Sequence, residues 1–485
     1  MKGESEELRS RIRELEAAAR VLEPDLEERE QLRAELVATS ERFLGALDSS
    51  PAFVEVADPA LGLLDTPIGE TGIDLDRALG VLEDQVLRPG GHPASGAHLA
   101  YLTGGGMYHA ALADYLAAVC NKYAGIFFTG PGPVRMENQV VRWVADLVGY
   151  PATAAGSILS GGSLANLTAV VAARDAHELR GADYASAVVY LTSQTHHAVH
   201  KAVRIAGLAE APIRQVALDE RLRMRPDALA EIIAADRARG LRPWLVVANA
   251  GTTDAGAVDP LDALADVAER EGCWFHVDAA YGGFFLLTED GRKVLRGIER
   301  SDSAVLDPHK SLFLPWGAGV VVARDVNTLT AAFAETGHYL QDAQDVAEVS
   351  PSDVSPELTK PFRALRMWLP LIHLGVAPFR AALEEKLLLA RYFRHEVARL
   401  GFEVGPPPDL SVVTYRWAPP GTTPERADEL TQKILDGVRR DGRVFLSSTR
   451  IDGRFTLRMA ALAHRTHLAT IDTALEVLGE QVAKL

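Results

Sequence analysis

Short apolar segments alternate with helical ones between about residue 100 and residue 330, and this alternation limits the possible folds more than any other feature of the chain. The strand candidates are residues 186–191, 213–216, 244–248, 274–277, 303–306 and 319–323, and the helix candidates are residues 164–179, 198–207, 226–239 and 260–271. Because helical crossovers join parallel strands and cover both faces of a sheet, we predict an α/β domain with a mostly parallel sheet.

The regions on either side have different patterns. Residues 4–48 are helical in pattern with a break at Pro24, and their apolar positions at helical spacing predict packing on the main body or on another subunit. After a helical connection at 362–400, strand candidates at 412–416, 444–448 and 455–460 mix with helix candidates at 424–439 and 467–483. We therefore predict an N-terminal helical segment (1–95), a large α/β domain (96–375) and a smaller α+β C-terminal domain (376–485).

Composition excludes several classes of partner. The formal net charge of -16 argues against nucleic-acid binding, which needs a basic surface. No apolar run approaches the roughly 20 residues that span a bilayer, and the charged N-terminus lacks the pattern of a signal peptide, so we expect no membrane partner and a cytoplasmic location. We expect Cys120 and Cys273 to be buried thiols, and their spacing does not suit a metal site.

One lysine follows a strand candidate directly. The strand candidate 303–306 is followed by Asp307, Pro308, His309 and Lys310. A partly desolvated lysine can act as an amine nucleophile toward an aldehyde, whereas most lysines are solvated. Taken alone, the spacing leaves two interpretations open, a catalytic lysine or a surface lysine at the end of a strand.

A carboxylate follows the neighbouring strand candidate. Residues 275–283 read FHVDAAYGG, which puts Asp278 at the end of a strand, where ligands of open α/β sheets bind. Pyridoxal 5'-phosphate (PLP) acts as an electron sink when a buried carboxylate keeps its pyridine nitrogen protonated, and the small Ala280 leaves room for a flat ring. The alternative role for Asp278 is a helix N-cap.

Three further segments end at the same predicted edge of the sheet. The Gly/Ser-rich run 156–166 opens a helix, and its backbone N–H groups suit a phosphate dianion, although an ordinary capped helix has the same composition. His196 follows strand 186–191 and can lie against a cofactor ring, while His197 and His200 are candidates for capping the next helix. The hydroxyls of Thr252 and Thr253 follow strand 244–248. The agreement of these segments on one ligand predicts a PLP site.

These motifs resemble those of the group II PLP-dependent amino-acid decarboxylases, which include aromatic-L-amino-acid, glutamate and 2,4-diaminobutyrate decarboxylases. HVDAAYGG followed by DPHK is a specific combination, and the resemblance runs from residues near 55 to the C-terminus. It implies the fold type I of aspartate aminotransferase, with a mostly parallel seven-stranded type of sheet that has helices on both faces. It also implies a homodimer with shared active sites, in which residues 4–48 embrace the other protomer.

The resemblance implies a role for each matching residue. Lys310 would hold PLP as a Schiff base, Asp278 would pair with the pyridine nitrogen, and Ala280 would contact the ring. His196 matches the histidine that stacks on the ring, and His309 precedes the lysine as in relatives.

Other matches concern the phosphate, the cofactor's 3-oxygen and the substrate. Gly162 and Ser163 match the phosphate-binding turn, and Thr253 matches the hydroxyl beside the 3-oxygen. Tyr101 to Thr103 match the segment that lines the substrate pocket. Phe128, in the run 126–128, is a candidate pocket wall that favours an aromatic or apolar amino acid, but it can equally be a core residue.

One departure concerns the proton donor. Many eukaryotic relatives carry a tyrosine shortly before the Phe-Arg pair that is Phe362-Arg363 here, whereas residues 348–357 contain none. We therefore expect an L-amino-acid decarboxylase that releases carbon dioxide and a primary amine, with a decarboxylating aldehyde synthase as the alternative. His338, Tyr339 and His196 are the candidate donors to the substrate carbanion.

Overall fold

The computed structural model describes residues 2–56, 60–334 and 348–485, and it forms two compact units, Met1–Gly90 and Gly91–Leu485. The first unit contains helices α1 (Lys2–Ala19), α2 (Leu26–Ala46) and α3 (Leu75–Leu82), with the short strand β1 (Phe53–Val54), and β2 (Gly90–Gly91) lies at its end. The predicted break at Pro24 is confirmed. Asp25 starts α2 with a capping box, in which its carboxylate accepts from the Glu28 N–H at 3.0 Å and its own N–H donates to the Glu28 carboxylate at 2.7 Å.

A seven-stranded sheet dominates the second unit. Its strands are β3 (Ala155–Leu159), β4 (Ala187–Leu191), β5 (Ile213–Gln215), β6 (Arg242–Asn249), β7 (Trp274–Asp278), β8 (Ser303–Leu306) and β9 (Gly319–Ala323). Their order is β3-β9-β8-β7-β6-β4-β5. Among these seven strands, β9 runs in the direction opposite to the other six, so its pairings with β3 and β8 are antiparallel. The predicted mostly parallel sheet is confirmed.

Helices cover both faces of this sheet. They are α4 (Tyr108–Cys120), α5 (Pro131–Val148), α6 (Gly162–Ala176), α7 (His197–Ile205), α8 (Pro226–Ala238), α9 (Leu261–Glu271), α10 (Glu289–Val294), α11 (Pro308–Ser311), α12 (Val326–Phe333) and α13 (Ala364–Leu374). Alternate residues of β4 explain the two layers. Val188 and Tyr190 join the core with α5, α8 and α9, whereas Val189 and Leu191 join the core with α6 and α7. All four are completely buried, as is typical of a strand in a covered parallel sheet.

The C-terminal part has its own antiparallel sheet. Strands β10 (Glu403–Val404), β11 (Val412–Arg416), β12 (Ser447–Ile451) and β13 (Arg454–Ala460) have the order β10-β11-β13-β12, and they pack with α14 (Ala377–Arg399), α15 (Pro424–Asp441) and α16 (Leu468–Val482). The predicted α+β arrangement is therefore confirmed, whereas the domain boundaries at 95/96 and 375/376 stay predictions.

Three local predictions are wrong. The Gly/Ser-rich run 156–166 is predicted to be a turn that opens a helix, but its first residues belong to strand β3. Gly156 is required within that strand because a Cβ there would lie 1.9 Å from the Val321 carbonyl of β9. Residues 444–446 are not part of β12, because the backbone of Phe445 bonds instead to Ala97 and Leu99. Cys120 ends α4 and is exposed, whereas Cys273 is buried as expected.

Candidate active site

A cavity of about 460 Å³ lies at the carboxyl ends of the parallel strands, within the second unit. Eight residues with a predicted cofactor or catalytic role line it together, namely Gly162, Ser163, His196, Thr253, Asp278, Ala280, His309 and Lys310. They come from five separate segments of the chain. The edge of the sheet brings these segments together, as expected for a ligand site of an open α/β fold.

Lys310 lies in the single helical turn α11, directly after β8. Its Nζ is 3.0 Å from Oδ2 of Asp307, the N-cap position of that turn, and the Asp307 side chain is only 2% exposed. Oδ1 of Asp307 is buried and has no hydrogen-bond partner among the described residues. The Lys310 side chain remains 23% exposed toward the cavity, so its amine is both ion-paired and accessible. Sequence reasoning gave no role to Asp307, although it stands in the same DPHK motif.

His309 lies on the other side of this carboxylate. Its Nδ1 bonds to the Ala318 carbonyl, its Nε2 lies 3.6 Å from Asp307 Oδ2, and its ring centroid is 4.9 Å from that of Trp316. Burial lowers the pKa of His309, and the attraction of Asp307 opposes this shift. In a neutral imidazole, an Nδ1–H that donates to a carbonyl leaves Nε2 without a proton, on the side of Asp307.

Asp278 ends β7 and is held from two sides. Its Oδ1 accepts from the Ala280 N–H at 3.1 Å, and its Oδ2 accepts from Asn166 Nδ2 at 3.4 Å. The same Asn166 amide donates to the Gly162 carbonyl at 2.8 Å, which fixes the orientation of the amide. The predicted alternative, in which Asp278 caps a helix, is not observed.

A chain of buried hydrogen bonds continues behind Asn166. Since Asn166 Nδ2 faces an acceptor, its Oδ1 must accept from His276 Nε2–H at 2.8 Å, and His276 Nδ1 must then accept from the Ser303 hydroxyl at 2.8 Å. The Ser303 oxygen accepts in turn from the Trp274 indole N–H at 2.9 Å. Burial lowers the pKa of His276 to about 4, so the ring is neutral at physiological pH. Sequence reasoning missed this chain because its members are on three separate elements.

The N-terminus of α6 forms another part of the cavity wall. Gly161 is the N-cap residue with φ 153°, and no side chain caps the helix. A Cβ at Gly162 would lie 2.9 Å from Asp307 Oδ2 and 3.4 Å from the Cβ of Ala280, so the backbone approaches both residues as only glycine permits. Uncapped N–H groups, the Ser163 hydroxyl and the positive end of the helix dipole suit a phosphate.

His196 lies between β4 and α7. It is the N-cap of α7, where its Nδ1 accepts from the Ala198 N–H at 3.2 Å, so the capping role considered for His197 and His200 belongs to His196. Burial lowers the pKa of His196, and the attraction of Asp278 opposes this shift. The cap fixes the ring at the cavity wall and leaves Nε2 available.

The predicted substrate residues lie elsewhere. Tyr101 and Phe128 are 56% and 57% exposed, Thr103 is buried with its hydroxyl 3.3 Å from the Pro93 carbonyl, and none of the three lines the cavity. The neighbouring Gly104 N–H bonds to the His309 carbonyl at 3.3 Å, so the 101–104 segment lies against the lysine turn. His338 and Tyr339 lie outside the described residues.

These residues fit PLP by the chemistry of their donor and acceptor groups. The cavity has an amine that can bond to an aldehyde, a buried carboxylate for a pyridinium nitrogen, and a glycine-lined helix N-terminus for a phosphate. No group of three His, Cys, Asp or Glu residues that could hold a metal ion occurs in residues 2–56, 60–334 and 348–485. Within the same ranges, no helix is long and apolar enough to cross a membrane.

Comparison with known proteins gives the same answer. The pyridoxal-dependent decarboxylase conserved domain matches residues 78–417. An aromatic-L-amino-acid decarboxylase of Bacillus atrophaeus is 33% identical over 470 residues, which cover 95% of this chain and 98% of that protein. A phenylacetaldehyde synthase of Arabidopsis thaliana is 29% identical over 425 residues, 85% of this chain and 86% of that protein.

A solved structure agrees with these matches. The structure of Oryza sativa TDC with PLP and tryptamine superposes with a TM-score of 0.89 at 27% identity, and covers 95% of this chain and 99% of that one. The implied fold type I is thereby confirmed, with its mixed central sheet and small C-terminal sheet domain. The chain belongs to the pyridoxal-dependent decarboxylase family and is a PLP-dependent amino-acid decarboxylase, as the sequence motifs predict.

Proposed function

We propose that this carboxy-lyase converts an L-amino acid with an aromatic or apolar side chain into carbon dioxide and a primary amine. The observation that carries the proposal is the meeting of Lys310, Asp278 and the α6 N-terminus in one cavity. PLP, when bound, takes up the electron pair that remains on Cα after carbon dioxide leaves. The protein has to hold the cofactor, keep its pyridine nitrogen protonated and return a proton to Cα.

Each of these tasks falls to particular residues. Lys310 would hold the cofactor through its Nζ at the aldehyde group and would give up this place to the substrate amine. The Asp278 carboxylate, which the Ala280 N–H and Asn166 orient, keeps the proton on the pyridine nitrogen. Gly162 and Ser163 bind the phosphate through backbone N–H groups and a hydroxyl.

The remaining cavity residues orient the ring. His196 would lie against the face of the cofactor ring, since its capping bond to Ala198 fixes the imidazole at the cavity wall. Ala280 leaves space for the flat ring, and the Thr253 hydroxyl serves the 3-oxygen. His309, with Nδ1 bonded to Ala318, keeps Nε2 beside Asp307, the partner of the lysine.

The aromatic preference rests on three observations. Trp316 is a large aromatic side chain that is more than half exposed and packs on His309 of the cavity wall. The lining of the cavity contains one lysine and no arginine, so it has no evident partner for an acidic side chain. The Bacillus atrophaeus relative is an aromatic-L-amino-acid decarboxylase by its name.

A decarboxylating aldehyde synthase is the second candidate. The observation that favours it is the stretch 348–361, which contains no tyrosine. If protonation of Cα is slow, dioxygen oxidises the carbanion; amino acid, dioxygen and water then give aldehyde, carbon dioxide, ammonia and hydrogen peroxide. A synthase that forms phenylacetaldehyde is among the relatives.

We also propose a cytoplasmic homodimer. Helix α4 leaves Tyr108, Leu112, Tyr115, Leu116 and Val119 between 41% and 66% exposed on one face, a stripe that a second copy would cover. The apolar positions of α1 that were predicted to need a partner, Leu8, Ile12 and Leu15, are likewise more than half exposed. Sedimentation equilibrium tests this assembly, and a monomer at micromolar concentration would contradict it.

A screen of the proteinogenic amino acids, with diaminobutyrate and ornithine added, tests the activity. Carbon dioxide release is measured in parallel with amine, aldehyde and peroxide. We expect aromatic substrates to give amine in equal amount to carbon dioxide. Stoichiometric aldehyde and peroxide would select the synthase, and release from acidic or basic amino acids alone would refute the substrate class.

A further inference from the structure

One buried arginine of the C-terminal sheet holds the loop that presents Thr253 to the cavity. Arg458 in β13 donates from Nε to the Asp254 carbonyl at 2.9 Å and from Nη2 to the Thr253 carbonyl. In the adjacent strand β12, the Thr449 hydroxyl donates to Asp254 Oδ1 at 2.9 Å. The position of residues 252–254 is therefore set by donors that lie about 200 positions later in the chain.

The same guanidinium is also connected, through Ser447, to the backbone just before Tyr101. Its Nη1 lies 3.2 Å from the Ser447 hydroxyl oxygen, and that hydroxyl donates to the Ala100 carbonyl at 2.5 Å. Ala100 directly precedes Tyr101 in the segment that lies against the lysine turn. One side chain thus joins the Thr253 loop, which lines the cavity, to the segment that lies against the lysine turn.

The burial of Arg458 needs a reason beyond packing. The residue is 4% exposed, and in the described part of the chain no carboxylate oxygen lies within 4.0 Å of it to form an ion pair. Burial lowers the pKa of Arg458, and the more distant Asp254 and Tyr101 oppose this shift. A buried charge that is satisfied by carbonyls and a hydroxyl, without a carboxylate, is costly, and an apolar residue of similar size would serve packing at lower cost.

The planar shape of the guanidinium explains why a buried arginine is useful at this position. A guanidinium directs several N–H groups from one rigid plane, so it can fix three acceptors in a constant relation. A lysine ammonium has donors on a single atom and cannot span the Thr253, Asp254 and Ser447 oxygens at once.

We propose that Arg458 is a positioning residue of the active site, which holds the Thr253 loop at the cavity in register with the 100–104 segment beside the lysine turn. The proposal rests on the proposed role of Thr253. Arg458 touches neither reacting atoms nor cofactor, and it acts through the backbone of the two segments. Its loss should therefore change cofactor affinity and the spectrum of the bound cofactor, as well as KM.

The test compares Arg458→Lys with Arg450→Lys as a matched control. Arg450 lies in the adjacent strand β12, and its guanidinium bonds to Asp428 and Gly453 on an exposed surface. For Arg458→Lys we expect the Kd of PLP to rise on the order of tenfold, the size typical when a supporting contact is lost. We also expect a shift of the pH at which the visible absorbance of bound cofactor changes, and no change for Arg450→Lys.

A purely structural role predicts a different pattern. It would lower the thermal stability of the apoenzyme and the PLP-bound enzyme equally, whereas a positioning role reduces the extra stability that PLP confers. Wild-type Kd and an unchanged absorbance profile in Arg458→Lys would overturn the proposal. If that variant does not fold, Thr449→Val removes the bond to Asp254 alone; we then expect a smaller rise in Kd, and a wild-type value would overturn the proposal.

The outcome is independent of the proposed reaction. PLP binding and its absorbance can be measured in wild type and variants without any substrate. If wild type binds PLP but makes no amine, the proposed function fails while the Arg458 comparison still stands. If all variants make amine with wild-type affinity for PLP, the positioning role fails and the proposed function stands.

Discussion

The Nζ of Lys310 lies 3.0 Å from Oδ2 of Asp307, a carboxylate that is 2% exposed and whose other oxygen has no hydrogen-bond partner in residues 2–56, 60–334 and 348–485. The lysine therefore is the main group that compensates a buried negative charge. The pair keeps the amine at the end of β8 in the same orientation before cofactor binds.

Asp307→Asn should lower the free energy of unfolding of the apoenzyme by about 1–3 kcal/mol, because the Lys310 ammonium loses its counter-charge. The partial exposure of Lys310 limits the loss, since the ammonium can turn toward water. Urea unfolding measures the effect. The double variant Asp307→Asn, Lys310→Met should lose less than the sum of the two single variants, and strict additivity would contradict a direct interaction.

Lys310→Ala should abolish the visible absorbance of lysine-bound cofactor and reduce kcat by more than about a thousandfold, because the covalent attachment and the return of the amine are both lost. PLP should still bind weakly through the α6 N-terminus and Asp278. Spectrophotometric titration with PLP and single-turnover assays measure both effects. Retained absorbance and turnover would refute the assignment of the lysine.

Asp278→Ala should leave most of the fold intact and lower kcat by on the order of a hundredfold or more, because the pyridine nitrogen loses the carboxylate that keeps it protonated. Asp278→Asn keeps the shape of the side chain and should fail almost as completely. Steady-state kinetics with circular dichroism as the folding control measures this. Undiminished turnover in either variant would count against the mechanism.

Ser303→Ala should destabilise the protein by about 1–3 kcal/mol, because the Trp274 indole N–H and His276 Nδ1 each lose a buried partner. We also expect a fall in kcat, since His276 and Asn166 then orient Asp278 less firmly. Ser303→Cys keeps the size and a weak donor and should retain more activity. Equal kcat for wild type and Ser303→Ala would separate this chain of hydrogen bonds from catalysis.

His98→Phe should make folding less sensitive to acid. Burial lowers the pKa of His98 from 6.5 to about 4, so the unfolded chain binds one more proton than the native state between these values. Stability contributed by the neutral ring is therefore present above pH 6.5 and falls with pH toward 4, by up to about 1.4 kcal/mol per pH unit.

Urea unfolding of wild type and His98→Phe at pH 8, 6 and 5 measures this difference. Any misfit of the larger ring changes the free energy of unfolding by the same amount at each pH. The informative quantity is therefore how the difference in free energy of unfolding between variant and wild type varies with pH. The variant should gain relative to wild type as pH falls. A constant difference would show that His98 is not the titrating group.

Some residues of the site could be predicted from the sequence, whereas the roles of others depend on the folded structure. Lys310, Asp278 and Gly162 were predictable because each stands in a local motif at a strand end or helix start, where the residue type itself carries the chemistry. Asp307 was visible in the same motif, but its role depends on a distance of 3.0 Å to a side chain three positions away and on nearly complete burial. Asn166, His276 and Ser303 form a chain only because α6, β7 and β8 are neighbours in space.

The sequence by itself determined the alternation of strands and helices, the family motifs and thereby the cofactor, because apolar periodicity and short motifs are local properties of the chain. Tertiary structure decided which side chains share hydrogen bonds, since donor and acceptor distances depend on how elements far apart in sequence pack. Arg458 is the clearest case, because nothing in β13 alone indicates that its guanidinium ends on the carbonyls of Thr253 and Asp254.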